Sequence, residues 1–204
     1  MEKSGGKKPG TGGRQIIRNP PSIHKAIKDS KGLPERKRIA SVFEAVLEKL
    51  KPSPGKRKKL RDVFDSGYRA RRLAVFFQEG RLVSGTDLKS AYSGFIRLLP
   101  EYAKDNGIDE TVVKRLLSGT RATLKNLEEN PNPGGYYVKG RENLALFESY
   151  VEMCDWELMR VLGAEKYERA RFLVEYGMNK LLDATELEKD ARKAKLLKKA
   201  GMLN

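Results

Sequence analysis

Residues 34–51, PERKRIASVFEAVLEKLK, decide the fold class. Ile39, Val42, Phe43, Val46, Leu47 and Leu50 recur every three or four residues. That spacing gathers them into one stripe on an α-helix and scatters them on a strand. Pro34 suits the first helical position, where a missing N–H costs nothing. The run Lys51-Pro52-Ser53-Pro54 ends the helix.

The same period continues downstream. A second helix spans 54–79, with Ser53 as its cap and Pro54 at its first position. Leu60, Val63, Phe64, Gly67, Ala70, Ala74 and Phe77 form its inner face, and Gly80 is its stop. Thr86 is read as the cap of a third helix with Leu88, Ala91, Tyr92, Phe95, Ile96 and Leu99 inward; Pro100 must kink or end it. After the Asn106-Gly107 turn, Asp109 caps a fourth helix with Val112, Val113, Leu116, Leu117, Leu124 and Leu127 inward.

The Pro- and Gly-rich stretch 129–140, ENPNPGGYYVKG, is a loop in which only Tyr136-Tyr137-Val138 could extend. A fifth helix follows from Arg141 and a sixth covers 164–183. A last one is expected from the capping-box pattern at Thr185, ending in the basic stretch 193–199. Upstream, Ser22 opens a short helical turn using Ile23 and Ile27. No alternation of period two persists, so the fold class is all-α, a bundle of four or more helices.

Charge divides the chain. Residues 1–81 carry 22 Lys and Arg against 8 Asp and Glu; residues 82–204 carry 20 against 19. Residues 1–21 are poor in apolar side chains and read as a disordered arm. The expected organisation is a flexible basic arm (1–33), a basic helical pair (34–81) and a helical bundle (82–204). An excess of this size in one part of a chain points to a polyanion: nucleic acid first, an anionic membrane or an acidic protein after it.

The candidate phosphate contacts fall in three segments. They are Lys3, Lys7, Lys8, Arg14 and Arg18 in the arm; Arg36, Lys37 and Arg38; and Lys56, Arg57, Lys58, Lys59, Arg61, Arg69, Arg71 and Arg72. Each cation laid on a phosphate releases a condensed counterion, and Arg adds a two-pronged hydrogen bond. Tyr136, Tyr137, Lys139 and Arg141 form a second candidate surface, which either stacks the bases of a single strand or anchors its loop on the bundle. No zinc finger, helix-turn-helix spacing or aromatic RNA-binding signature is found, so binding is expected to ignore sequence.

Nothing in the sequence assembles a catalytic site, a metal site or a cofactor site. The single His24 and single Cys154 do not supply a zinc ligand set and are read as a surface imidazole and a packed core thiol. No glycine-rich phosphate loop follows a strand. No apolar run approaches the ~18 residues of a membrane span, and no apolar segment follows the basic N-terminus as a secretory signal requires. The expected location is the cytoplasm or a virion or other nucleoprotein particle. Two Gln, one Cys and one His among 34% charged residues lean toward a thermophile composition.

At Tyr137-Val138-Lys139-Gly140-Arg141 the chain resembles the small helical subunit of type III CRISPR effector complexes, with Phe172-Leu173-Val174-Glu175-Tyr176 in the place of that family's late Phe-centred helix. Arg69, Arg71 and Arg72 stand for the basic residues of its earlier helix, and the likeness covers residues 56–183. It implies a non-catalytic subunit lining a guide RNA–target duplex in repeated copies. In architecture alone the chain also resembles coat proteins of filamentous archaeal viruses, in which a basic N-terminal part grips DNA and a helical bundle packs outward. The charge division favours the second layout. The expected function is therefore a sequence-independent structural protein coating DNA as multiple copies, self-associating or meeting partner subunits through 82–204. An RNA-guided subunit and a membrane- or protein-binding module are the alternatives.

Overall fold

Proline, glycine and one left-handed residue set the boundaries that the sequence announces. The computed structural model describes residues 21–137 and 140–199. The short segment after Ser22 is helix α1, Pro21–Asp29. Pro34 precedes α2, Glu35–Leu50, and its carbonyl accepts the N–H of Lys37 and Arg38. Lys51 takes a left-handed conformation at φ 45°, and the prolines beyond it forbid further helix. Helix α3, Pro54–Gln78, begins on Pro54; Ser53 stands at its cap position without a side-chain hydrogen bond. Gly80, at φ +63°, closes it.

Four further helices and one short pairing complete the described elements. They are β1 (Leu82–Val83), α4 (Gly85–Asp105), α5 (Glu110–Glu129), β2 (Tyr136–Tyr137), α6 (Arg141–Leu162) and α7 (Ala164–Lys199). The strands pair antiparallel, Leu82 with Tyr137 and Val83 with Tyr136, and tie the 129–140 loop to the start of α4.

Three expectations need correction, and one of the two alternatives for Pro100 falls away. The cap of α4 is Ser84, not Thr86: its hydroxyl accepts the Asp87 N–H at 3.1 Å. Pro100 lies inside α4 and does not end it; Leu98, Leu99 and Ala103 are buried around it and hold the helix on the core. The helices expected on either side of Thr185 are one continuous α7. No Gly or Pro interrupts the chain there, and the Thr185 hydroxyl donates to the Leu181 carbonyl one turn back instead of capping. On α5, Val112 and Leu116 are exposed rather than inward. That helix packs chiefly on α4, so only one narrow stripe is covered: Val113 and Leu127 are buried, with Leu117 and Leu124 packed beside them.

A single cluster of buried residues runs from Ile23 in α1 to Leu181 in α7. Helix α3 packs most extensively on α6, and α2 on α7, so residues 34–81 and 82–204 contribute to one core. Two glycines permit the closest approaches. A Cβ at Gly177 would lie 2.5 Å from Val42 of α2, and one at Gly94 would overlap the Tyr150 hydroxyl of α6.

Candidate nucleic-acid interface

Helix α3 presents its cations on the side away from Leu60, Val63, Phe64, Ala70 and Leu73, which are buried. The fold brings carboxylates from two other helices, α2 and α6, to meet them. Arg57 and Arg61 both pair with Glu44 of α2. Lys59 pairs at 2.5 Å with Glu157 of α6, and Arg71 forks onto Asp155 at 3.0 and 3.1 Å. Arg72 reaches Glu35 at 3.6 Å and lies over the Phe76 ring. Arg69 binds Asp65 one turn earlier and Ser90 of α4. Lys56 donates to the Val161 carbonyl at 3.0 Å. Arg36, on α2, lies 3.9 Å from Asp87 of α4.

Among the described candidates of the first three segments, Lys37 and Lys58 alone have neither an ion-pair nor a hydrogen-bond partner for their ammonium groups. Lys3, Lys7, Lys8, Arg14, Arg18 and Lys139 lie outside the described residues.

These pairs differ in what they permit. Exposed ion pairs contribute about 0–1 kcal/mol each, so a phosphate can exchange for the carboxylate at Arg57, Arg61, Arg71 or Arg72 with little loss. Arg38 is different and corrects the sequence reading. It is 6% exposed, and its guanidinium holds both oxygens of Glu188 in α7 at 3.0 and 3.1 Å. A phosphate has no access to it. Arg38→Ala is expected to lower stability by about 3 kcal/mol, because Glu188 loses its partner. Chemical denaturation checks the loss.

Arg36, Arg69 and Arg72 also line a surface cleft with Ile39, Tyr68, Leu73 and Phe76. Asp65 and Asp87 line it too, so its charges largely cancel. Burial first, and then the charge of Glu35, push the Tyr68 hydroxyl up to about 12, so it stays a neutral donor to Glu35.

The second candidate surface separates into its members. Tyr136 anchors the loop: its hydroxyl donates to the Asn130 carbonyl at 2.8 Å and accepts the Asn132 N–H at 2.7 Å. Tyr137 is 64% exposed. Arg141 is exposed at the first position of α6.

Cys154 is buried, and burial, followed by the nearby Asp155, pushes its thiol up to about 12. His24 is exposed on α1 and shares a 2.8 Å hydrogen bond with the Tyr176 hydroxyl. Among the described residues no group of three or more His, Cys, Asp or Glu is placed to hold a metal ion, and no helix is long and apolar enough to cross a membrane.

Open cations cluster where the sequence reading saw only a complement to the helix dipole. Arg192, Lys193, Lys195, Lys198 and Lys199 lie on the end of α7, all exposed, with no ion pair among the described residues. Their signal was six cations in eleven residues against one acid. No family model matches the chain, and neither a curated protein nor a solved structure does.

Proposed function

We propose that this protein is a non-catalytic, sequence-independent nucleic-acid-binding protein that coats or packages DNA in multiple copies. One observation carries the reading: a net charge of +15, almost all of it contributed by residues 1–81. Such a field concentrates polyanions and gains affinity through counterion release. The exposed pairs on α3 support it, since phosphates can replace their carboxylates. Ile108, just before α5, and Val112 and Leu116 on it leave an apolar edge that suits contact between neighbouring copies.

The test is fluorescence anisotropy of labelled duplex DNA, duplex RNA and single-stranded RNA across a salt series. It uses the full chain and a chain lacking residues 1–20. A cut at residue 82 is unsuitable, because α3 packs on α6 and the halves share a core. The full chain is expected to bind duplex DNA most tightly, with affinity falling steeply as salt rises. Loss of Lys3, Lys7, Lys8, Arg14 and Arg18 is expected to flatten that slope by up to about 4.5, at roughly 0.9 per phosphate contact. A preference for RNA would replace coating of DNA with a role in an RNA-guided complex. No binding to any of the three at low salt overturns the reading.

A further inference from the structure

We infer that the last turns of α7, residues 189–199, enter the major groove of duplex DNA and hold the phosphates on both of its sides. The inference rests on the nucleic-acid reading and names a site for it. Every residue of this segment except Leu197 is exposed, and no ion pair or hydrogen bond links its side chains to another helix among the described residues. The last anchor of α7 on the body is the buried pair of Glu188 with Arg38. Beyond it the helix runs on for eleven residues, about 16 Å at 1.5 Å per residue.

The chemistry of the segment selects the occupant. Lys189, Arg192, Lys193, Lys195, Lys198 and Lys199 face a single acid, Asp190. Lys198 and Lys199 lie in the last turn, where they offset the negative end of the helix dipole. Lys189 pairs with Glu186. That leaves Arg192, Lys193 and Lys195 as open surplus charge. A second copy of this helix would be repelled.

A membrane surface needs one continuous apolar face. Leu196 and Leu197 are consecutive and therefore point roughly 100° apart, with cations on their flanks. At that rotation the six cations spread over roughly two thirds of the circumference. A flat partner would leave half of them unused, whereas a groove walled by phosphates engages both flanks. The major groove of B-form DNA is about 12 Å wide and admits a helix about 10–12 Å across. The major groove of A-form RNA is deep and narrow and does not.

The experiment compares three full-length proteins: the unaltered chain, the triple variant Arg192→Gln, Lys193→Gln and Lys195→Gln, and a control triple variant on α5, Lys114→Gln, Arg121→Gln and Lys125→Gln. All six positions are exposed and Gln is a good helix former, so circular dichroism is expected to be the same for all three. Binding to duplex DNA and duplex RNA is measured across salt.

The α7 variant is expected to lose about 2.7 from its salt slope on DNA, roughly five hundredfold in affinity near 0.1 M salt, at 0.9 per lost phosphate contact. The control is expected to lose much less, and the loss on RNA is expected to be smaller than on DNA. Equal losses in the two variants, or no loss in the α7 variant while the unaltered chain binds, overturn the site and leave the nucleic-acid reading standing. Equal losses on DNA and RNA overturn the groove assignment. Failure of the unaltered chain to bind either duplex overturns this inference together with the reading beneath it.

Discussion

Gly94→Ala lowers the stability of this protein by about 3 kcal/mol or more, through overpacking. Two effects oppose each other at this position. Alanine inside a helix gains roughly 1 kcal/mol over glycine in intrinsic propensity. The added methyl, however, would overlap the hydroxyl and ring of Tyr150, which is 1% exposed on α6. The neighbouring ring has no free space to enter: Phe147, Met153 and Cys154 around it are buried too. Its hydroxyl also faces the Ser66 side chain of α3, so a displaced ring disturbs the contact between two helices. Overlap with a buried ring exceeds the propensity gain, and α4 must move away from α6.

For a chain of this size 3 kcal/mol corresponds to a fall in Tm of roughly 6–12 °C. Combining Gly94→Ala with Tyr150→Phe removes the nearest atom of the clash. The double variant is therefore expected to be more stable than the sum of the two single losses, a coupling that thermal denaturation of all four proteins reads directly. Strict additivity would show that the methyl is accommodated elsewhere.

The boundaries of most helices were legible because they depend on local chemistry. Pro34, Lys51-Pro52-Ser53-Pro54, Gly80, Asn106-Gly107 and Asp109 act on the chain within one turn of themselves, and the helices begin and end there. The stripe of α2 was legible for the same reason: all six of its apolar positions are buried. Where several local solutions compete, the sequence did not decide. Ser84 and Thr86 are both good caps, and the pairing of β1 with β2 fixes the chain so that Ser84 stands at the helix start. The box at Thr185 is a valid start signal only where the preceding helix stops, and nothing stops α7.

The candidate interface was less legible, because charge pairing is long-range. Counting by segment puts an excess of cations in residues 1–81. It does not reveal that Asp155, Glu157 and Glu188, all in the near-neutral remainder, fold onto Arg71, Lys59 and Arg38. Nor does density of cations indicate freedom to bind. The dense face of α3 is largely engaged with carboxylates, whereas the end of α7, noted in the sequence only for its fit to the helix dipole, keeps its cations open.

Removing both cations from Glu157 is the second large effect expected. Glu157 is 2% exposed, yet each of its carboxylate oxygens meets a positive group: Lys59 at 2.5 Å on one, Arg160 at 2.8 Å on the other. Arg160 is itself held by Glu101 at 2.6 Å and by the Trp156 ring beneath its guanidinium. Lys59→Met with Arg160→Met leaves a buried carboxylate without a cation, and the cost of an uncompensated buried charge is about 3–5 kcal/mol. The two cations are themselves 40–49% exposed, so either can return to water at little cost; the penalty is borne by the carboxylate. Adding Glu157→Met to the double variant is therefore expected to restore most of the stability, since a packed apolar group of similar volume replaces the charge. Denaturant unfolding of the double and triple variants decides the matter. Recovery assigns the loss to the buried charge, and a triple variant as unstable as the double would assign it instead to the packing of the Lys59 and Arg160 stems across α3, α4 and α6.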